Sequence, residues 1–192
     1  MCRLVLLKTA MTGPWPGPPS SPTSRHPDTP SKCREADIGE PALVGTQDAT
    51  SIYEVRIAAP AHLPGLRFID PLLRADPDRA ESVRLAVEQG RCLAAFDAED
   101  VAGYAVLNDH FLGQAFVELL MVGPAYQRQG IGTLLLREAE RACGRQKLFT
   151  SCNRSNLPAQ CLFEKCGFQR SGQIYNLDEG DPELVYFKAL TP

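Results

Sequence analysis

The stretch that decides the fold is VELLMVGPAYQRQGIGTLLL, residues 117–136. It opens as an apolar run broken by one charge, Glu118. It then turns at Gly123-Pro124 and places Gly130-Ile131-Gly132 directly ahead of a helical pattern. Ile131, Leu134, Leu135, Ala139 and Ala142 recur at helical spacing and predict a core-facing stripe. The reading is strand, turn, helix. The first turn of such a helix has amides without intrahelical partners, at the positive end of its dipole. Gly130 and Gly132 lack Cβ and let an anion come close to the backbone, which predicts a diphosphate cradle. A bare Gly-x-Gly is equally well a tight turn that packs a helix on a sheet. Two other phosphate motifs do not fit. The dinucleotide fingerprint has a third glycine where Leu135 stands, and the P-loop needs Gly-Lys-Ser/Thr, which is missing.

Outward from this stretch, short strands alternate with helices. Residues 51–58 alternate apolar and polar and predict a strand. Residues 61–73 predict a broken helical region, interrupted by Pro64, Gly65 and Pro71, and residues 76–89 an amphipathic helix stopped at Gly90. Strands follow at 92–96, 101–107 and 115–122. The helix 131–143 leads to a strand at 147–152, and a helix at 156–166 ends at Gly167. Two strands at 168–175 and 184–190 close the chain. The predicted fold is a mixed α/β sheet in the order β-α-α-β-β-β-α-β-α-β-β.

The chain has 192 residues, length for one domain and a tail. Seven prolines between Thr12 and Ser31, mixed with Ser and Thr, remove donors and predict a disordered extension over residues 1–50. The folded domain is expected over 51–192. A formal net charge of −3 without a basic patch argues against nucleic acid as a partner. No apolar run approaches the roughly 20 residues that cross a bilayer, and Leu4-Val5-Leu6-Leu7 is too short for a signal peptide. Seven cysteines, without a CxxC pair, read as reduced thiols of a cytoplasmic protein. The three histidines form no cluster with them, so no metal is expected.

Gln127-x-x-Gly130-x-Gly132 after an apolar strand resembles the acyl-CoA signature of the GNAT superfamily of N-acetyltransferases. A second run, Asn156-x-x-Ala159-x-x-Leu162-Phe163-Glu164-Lys165-x-Gly167-Phe168, is similar to that family's Asn-x-x-Ala-x-x-Leu-Tyr-Glu-Lys-x-Gly-Phe helix. The order of elements matches the family's fold from about Ser51 onward. The resemblance implies that acetyl-CoA lies in a splayed gap between the fourth and fifth strands. Backbone groups of Met121 and Val122 then pair with the pantetheine arm like an added strand. Gln127, Arg128, Gln129, Gly130, Ile131, Gly132 and Thr133 cradle the diphosphate. Arg128 stands where many relatives have glycine, a departure expected to matter little because the contact is made by backbone. Asn156 either donates to the pantetheine or caps its own helix.

Glu118 is the expected general base. A carboxylate in an apolar strand is costly to bury, and desolvation raises its affinity for a proton. The competing reading pairs it with an arginine of a neighbouring strand. Phe163 replaces the Tyr that many relatives use as acid, so no acid is assigned. Phe163 is instead expected to pack on the pantetheine. The resemblance also puts the acceptor between the first helices and the loop 177–183, whose four carboxylates suit a cationic amine and equally suit a solvated turn. His62, Arg67 and Arg74 could instead favour an acidic group on the acceptor. The expected activity is acetyl transfer from acetyl-CoA to a primary amine of an unidentified acceptor. The alternative is a non-catalytic acyl-CoA-binding or regulatory module, and a homodimer is left open.

Overall fold

The structure is a computed structural model that describes residues 52–190. The extension expected over 1–50, and its boundary at Ser51, lie outside the described residues. The elements are β1 (Tyr53–Ile57), α1 (Leu63–Ile69), α2 (Leu72–Ala75), α3 (Pro77–Glu88), β2 (Cys92–Asp97), β3 (Asp100–Phe111), β4 (Gln114–Val122), α4 (Ile131–Ala142), β5 (Lys147–Asn153), α5 (Leu157–Lys165), β6 (Gln169–Ile174) and β7 (Glu183–Ala189). The expected mixed α/β order is present. The broken region resolves into a 3-10 turn at Pro60–His62, then α1 and α2. Its breaks lie at residues that precede a proline. Asp70 and Asp76 are both extended, because the following ring disfavours the helical region. Asp76 then caps α3 by accepting from the amides of Asp78 and Arg79.

The seven strands form one sheet in the order β1-β2-β3-β4-β5-β7-β6. Only β4 and β5 run parallel; the other neighbours are antiparallel. Helices cover both faces. Leu66, Ile69, Leu73, Val83 and Val87 of α1–α3 pack with Phe96, Tyr104, Val106 and Leu119. On the other face Ile131, Leu135 and Ala139 of α4 and Phe163 of α5 pack with Ala95, Val117, Leu120, Leu184 and Tyr186. Leu135 and Leu136 are fully buried, each contributing about 1.5–3 kcal/mol from apolar burial.

The β3–β4 hairpin is longer than expected. The strand expected over 101–107 continues to Phe111, which faces Gln114 in register. The turn is Leu112-Gly113, both at positive φ. Apolar contacts hold this extension. The Phe111 ring stacks on Phe116 at 4.7 Å and meets Phe149 at 5.6 Å. No helix among the described residues is long and apolar enough to cross a membrane.

Asp70 is fully buried at the end of α1. Its Oδ2 accepts from Arg79 Nη2 at 2.8 Å, Arg79 Nε at 3.1 Å and the Tyr104 hydroxyl at 2.6 Å. The cluster ties α1 to α3 and to β3. Breaking a buried pair on one side leaves an uncompensated charge, at a cost of about 3–5 kcal/mol. Arg79→Leu is therefore expected to lower the melting temperature far more than Tyr104→Phe, which removes one hydrogen bond of about 1–3 kcal/mol. Thermal denaturation of the two variants checks this order.

Candidate active site

The β4–β5 ladder is cut short. It pairs only Ala115–Val117 with Leu148–Thr150. The Thr150 hydroxyl donates to the Val117 carbonyl at 3.2 Å and marks the last tie before the strands part. Beyond it β4 runs on through Glu118–Val122 and β5 through Ser151–Asn153 with no ladder between them. The other edge of β4 is occupied by β3, with Met121 opposite Tyr104 and Val122 opposite Gly103. The β5-facing edge of β4 thus offers backbone groups that an extended ligand can pair with. Met121 and Val122 lie on that stretch, half-buried.

Past Val122 the chain crosses a 3-10 turn at Pro124–Tyr126 and enters α4. Gly130 is exposed and has φ +85. Arg128 also lies in the left-handed region, at φ +65. A side chain in that conformation costs about 1–2 kcal/mol of backbone strain, which glycine avoids. Gly132 has a different reason. A Cβ there would sit 2.9 Å from Leu162 Cδ2, so this glycine lets the start of α4 pack on α5. Among the described residues the amides of Ile131, Gly132 and Thr133 find no acceptor, and the helix begins its ladder with Leu134 N–H to the Gly130 carbonyl. Gln127 donates to the Val122 carbonyl at 3.4 Å, and Gln129 donates to the Ala125 carbonyl at 3.0 Å and accepts from the Tyr53 hydroxyl. Both side chains brace the turn and leave the amides to an anion.

Of its two readings, Asn156 shows the helix cap. Its Oδ1 accepts from Ala159 N–H at 3.2 Å, capping α5. Its Nδ2 is buried and has no partner, a donor at the start of α5 that a bound amide chain would satisfy. The unpaired β4 edge, the free α4 amides and this orphaned donor all fit a pantetheine diphosphate. Phe163 is fully buried, with its ring 5.4 Å from Tyr186 and 6.1 Å from Phe168. The expected contact with pantetheine is here a contact inside the core.

Glu118 sits on a β-bulge. Val106 faces Leu119 and Leu107 faces Val117, so Glu118 is the extra residue of β4. Bulges re-aim side chains. Glu118 Oε2 accepts from Asn108 Nδ2 at 2.7 Å. Asn108, 8% exposed, was missed in the sequence; its Oδ1 also accepts from the His110 amide at 3.0 Å, which holds the side chain in place. A polar residue ending the run 101–107 was its only signal. His62 packs against Phe96 and accepts from the Ala59 amide. Arg67 and Arg74 line a groove of about 470 Å³ walled by α1–α3 alone, without any residue of the fork. His110 is exposed beside Asp109.

The loop before β7 is strapped to the end of β5. Asp178 accepts from Asn153 Nδ2 at 2.9 Å, and Asp181 accepts from the Ser155 amide at 3.0 Å and hydroxyl at 2.6 Å. These carboxylates are structural ties rather than a solvated turn. Glu183 is 5% exposed, and burial pushes its carboxyl up to about 7, opposed by the Ser151 hydrogen bond and aided by Asp178 and Asp181. Cys92, Cys143, Cys152 and Cys166 are free thiols. Burial pushes Cys92 and Cys152 up to about 12, so neither is a nucleophile at neutral pH. Cys161 is disulfide-bonded, which corrects the reduced reading there. Among the described residues no group of three His, Cys, Asp or Glu stands where it could hold a metal.

The raised Glu183 pKa has a signed consequence. Below pH 4.5 the carboxyl is protonated whether the chain is folded or not; through about pH 7 the folded chain comes to bury a carboxylate. Its contribution to stability is complete below pH 4.5 and lost above about pH 7. Glu183→Gln should therefore gain on the wild type in melting temperature between pH 5 and pH 8. Parallel melts across that range check it.

Residues 59–168 match the family model described as the acetyltransferase (GNAT) family. No curated protein matches the sequence. A GNAT-family acetyltransferase from Bacillus cereus is similar in structure, with a TM-score of 0.69 and 29% identity over 73% of this chain and 99% of that one. The yncA protein of Salmonella typhimurium, solved with acetyl-CoA, shares the fold at 20% identity and a TM-score of 0.59, over 73% of this chain and 95% of its own. The ribosomal-protein-S18-alanine N-acetyltransferase of Escherichia coli does so at 23% and 0.58, with the same coverage. A parted β4–β5 pair that leads into free helix amides, within a matched family domain, makes this chain a member of the GNAT acetyltransferase family and an acetyl-CoA-dependent N-acetyltransferase.

Proposed function

We propose that this enzyme moves an acetyl group to a primary amine of its acceptor, with Glu118 as general base. The observation that carries the reading is the continuity of the fork with α4. The unpaired β4 edge at Met121 and Val122 runs directly into the amides of Gly130, Ile131, Gly132 and Thr133. Gln127, Arg128 and Gln129 frame the same turn, and Asn156 Nδ2 adds a donor from α5. Acetyl-CoA, when bound, supplies a thioester whose thiolate leaves readily. The chain's own residues do the rest. The β4 edge orients an extended arm, the α4 amides and dipole hold the diphosphate, and Glu118 takes the proton that the acceptor ammonium must shed before its nitrogen has a lone pair to attack. Asn108 holds Glu118 Oε2 and so orients the carboxylate. No protein acid is assigned. A thiol of ordinary pKa near 8.5 leaves as thiolate without one, which suits the buried Phe163.

Calorimetry with acetyl-CoA should give a single-site isotherm. Gly130→Ala forces a side chain into φ +85 and should weaken binding about tenfold, the equivalent of about 1.4 kcal/mol. An isotherm unchanged by that variant would remove α4 from the binding site. Glu118→Gln should leave acetyl-CoA affinity in place and cut turnover about 100-fold, most deeply at low pH where the acceptor arrives as ammonium. A pH–rate profile that keeps its shape would remove Glu118 from the mechanism. Thiol release with no amine of a broad panel, despite tight binding, would favour the non-catalytic acyl-CoA module.

A further inference from the structure

Two buried side-chain atoms among the described residues have no hydrogen-bond partner: Asn156 Nδ2 and Glu183 Oε1. The first suits the acetyl-CoA arm. The second lies on the same half of the sheet, on the strand that pairs with β5. Glu183 opens β7 and faces Asn153, at the end of β5, in register. Its neighbours Leu184 and Tyr186 pack beneath α4 and α5, so strand alternation turns Glu183 to the other face. Glu118 belongs to that face too, through its bond to Asn108 beside Phe116. The two carboxylates therefore flank the fork on the same side of the sheet.

Among the described residues no cation pairs with Glu183. Residues 177–183 contain no Lys or Arg. Asp178 and Asp181, the charges acting on it, carry the same sign, and their oxygens are engaged by Asn153 and Ser155. Ser151 supplies one hydrogen bond and leaves Oε1 bare. A buried carboxylate is held at low cost only by a cation or a set of donors, and an orphaned oxygen marks where one is missing.

We propose that Glu183 is a specificity-determining residue that pairs with a second, non-reacting cation of the acceptor, so that the enzyme takes diamines and other polycationic amines. The proposal rests on the acetyl-transfer reading above and adds the acceptor's class to it. The reacting nitrogen is the wrong partner for Glu183. A carboxylate paired with an ammonium keeps it protonated, and a protonated nitrogen cannot attack. Position agrees. From Glu118 to Glu183 the path crosses the parted β4–β5 gap and one β5–β7 spacing of about 4.8 Å, and advances two or three residues of about 3.3 Å each, which separates the backbones by more than about 10 Å. One nitrogen cannot serve both groups; two nitrogens on one chain can.

The test compares butylamine, 1,4-diaminobutane and 1,8-diaminooctane, by turnover and by calorimetry against CoA-loaded enzyme. The wild type should prefer a diamine over butylamine at least tenfold in kcat/KM, the preference residing in KM, with a matching difference in Kd. Glu183→Gln should abolish the preference, and Glu183→Asp, which keeps the charge, should restore part of it. No discrimination in the wild type overturns the proposal. So does a preference that survives in Glu183→Gln, or an equal rise in KM for all three amines, which is the mark of a purely structural residue. Heat with acetyl-CoA but none of this discrimination sinks the acceptor class alone. No heat with acetyl-CoA sinks the acetyl-transfer reading, and this one with it.

Discussion

The structure depends on a hydrogen-bond ladder that stops early. Parallel neighbours ordinarily keep pairing along their shared length, because an unpaired backbone group away from water costs what a lost hydrogen bond costs. Here β4 and β5 hold together over three residues each and then part. Each side of the opening is stiffened from behind. β3 pairs along the far edge of β4, and β7 pairs along the whole of β5. The two halves of the sheet are rigid, so the opening persists and its inner edge stays available for a ligand.

The helices take their places from this split. Helices α1–α3 pack on the β2–β4 half, locked by the buried Asp70–Arg79–Tyr104 cluster. Helix α4 packs on the reverse face of that half and so aims its first turn at the mouth of the opening. Helix α5 follows β5 and brings Asn156 to its own start. Gly132 permits the close approach of α4 to α5, and positive φ at Arg128 and Gly130 shapes the turn before α4. The anion site is thus assembled from conformation and packing, with side-chain charge secondary. Glu118 takes its orientation from the bulge in β4, and that bulge exists only because β3 and β4 are out of step by one residue at that point.

Much of this was legible along the chain. The alternation of strands and helices, the stripe Ile131–Ala139, the proline and glycine punctuation and the two spaced motifs are local signals, and each reads the same in any tertiary setting. Local reading faltered where it stopped a strand at Leu107. Asn108-Asp109-His110 belongs to β3, because Phe111, Phe116 and Phe149 stack across strands that the sequence does not show to be neighbours. It faltered also where one residue type served two ends. Gly132 read as room for a phosphate, and it also makes room for Leu162. Phe163 read as a wall of the opening and lies wholly inside the core.

The sequence by itself determined which elements form, their order, and the family to which the two motifs point, because helix periodicity, turn chemistry and motif spacing are properties of near neighbours. Only the tertiary structure decided what those elements enclose. It brought Asn108 to Glu118, tied Asp178 and Asp181 to the end of β5, and left Asn156 Nδ2 and Glu183 Oε1 buried without partners. The reason is physical. Burial and pairing are set by residues from strands far apart in the chain, and a polar atom becomes an orphan only when every distant neighbour has been placed.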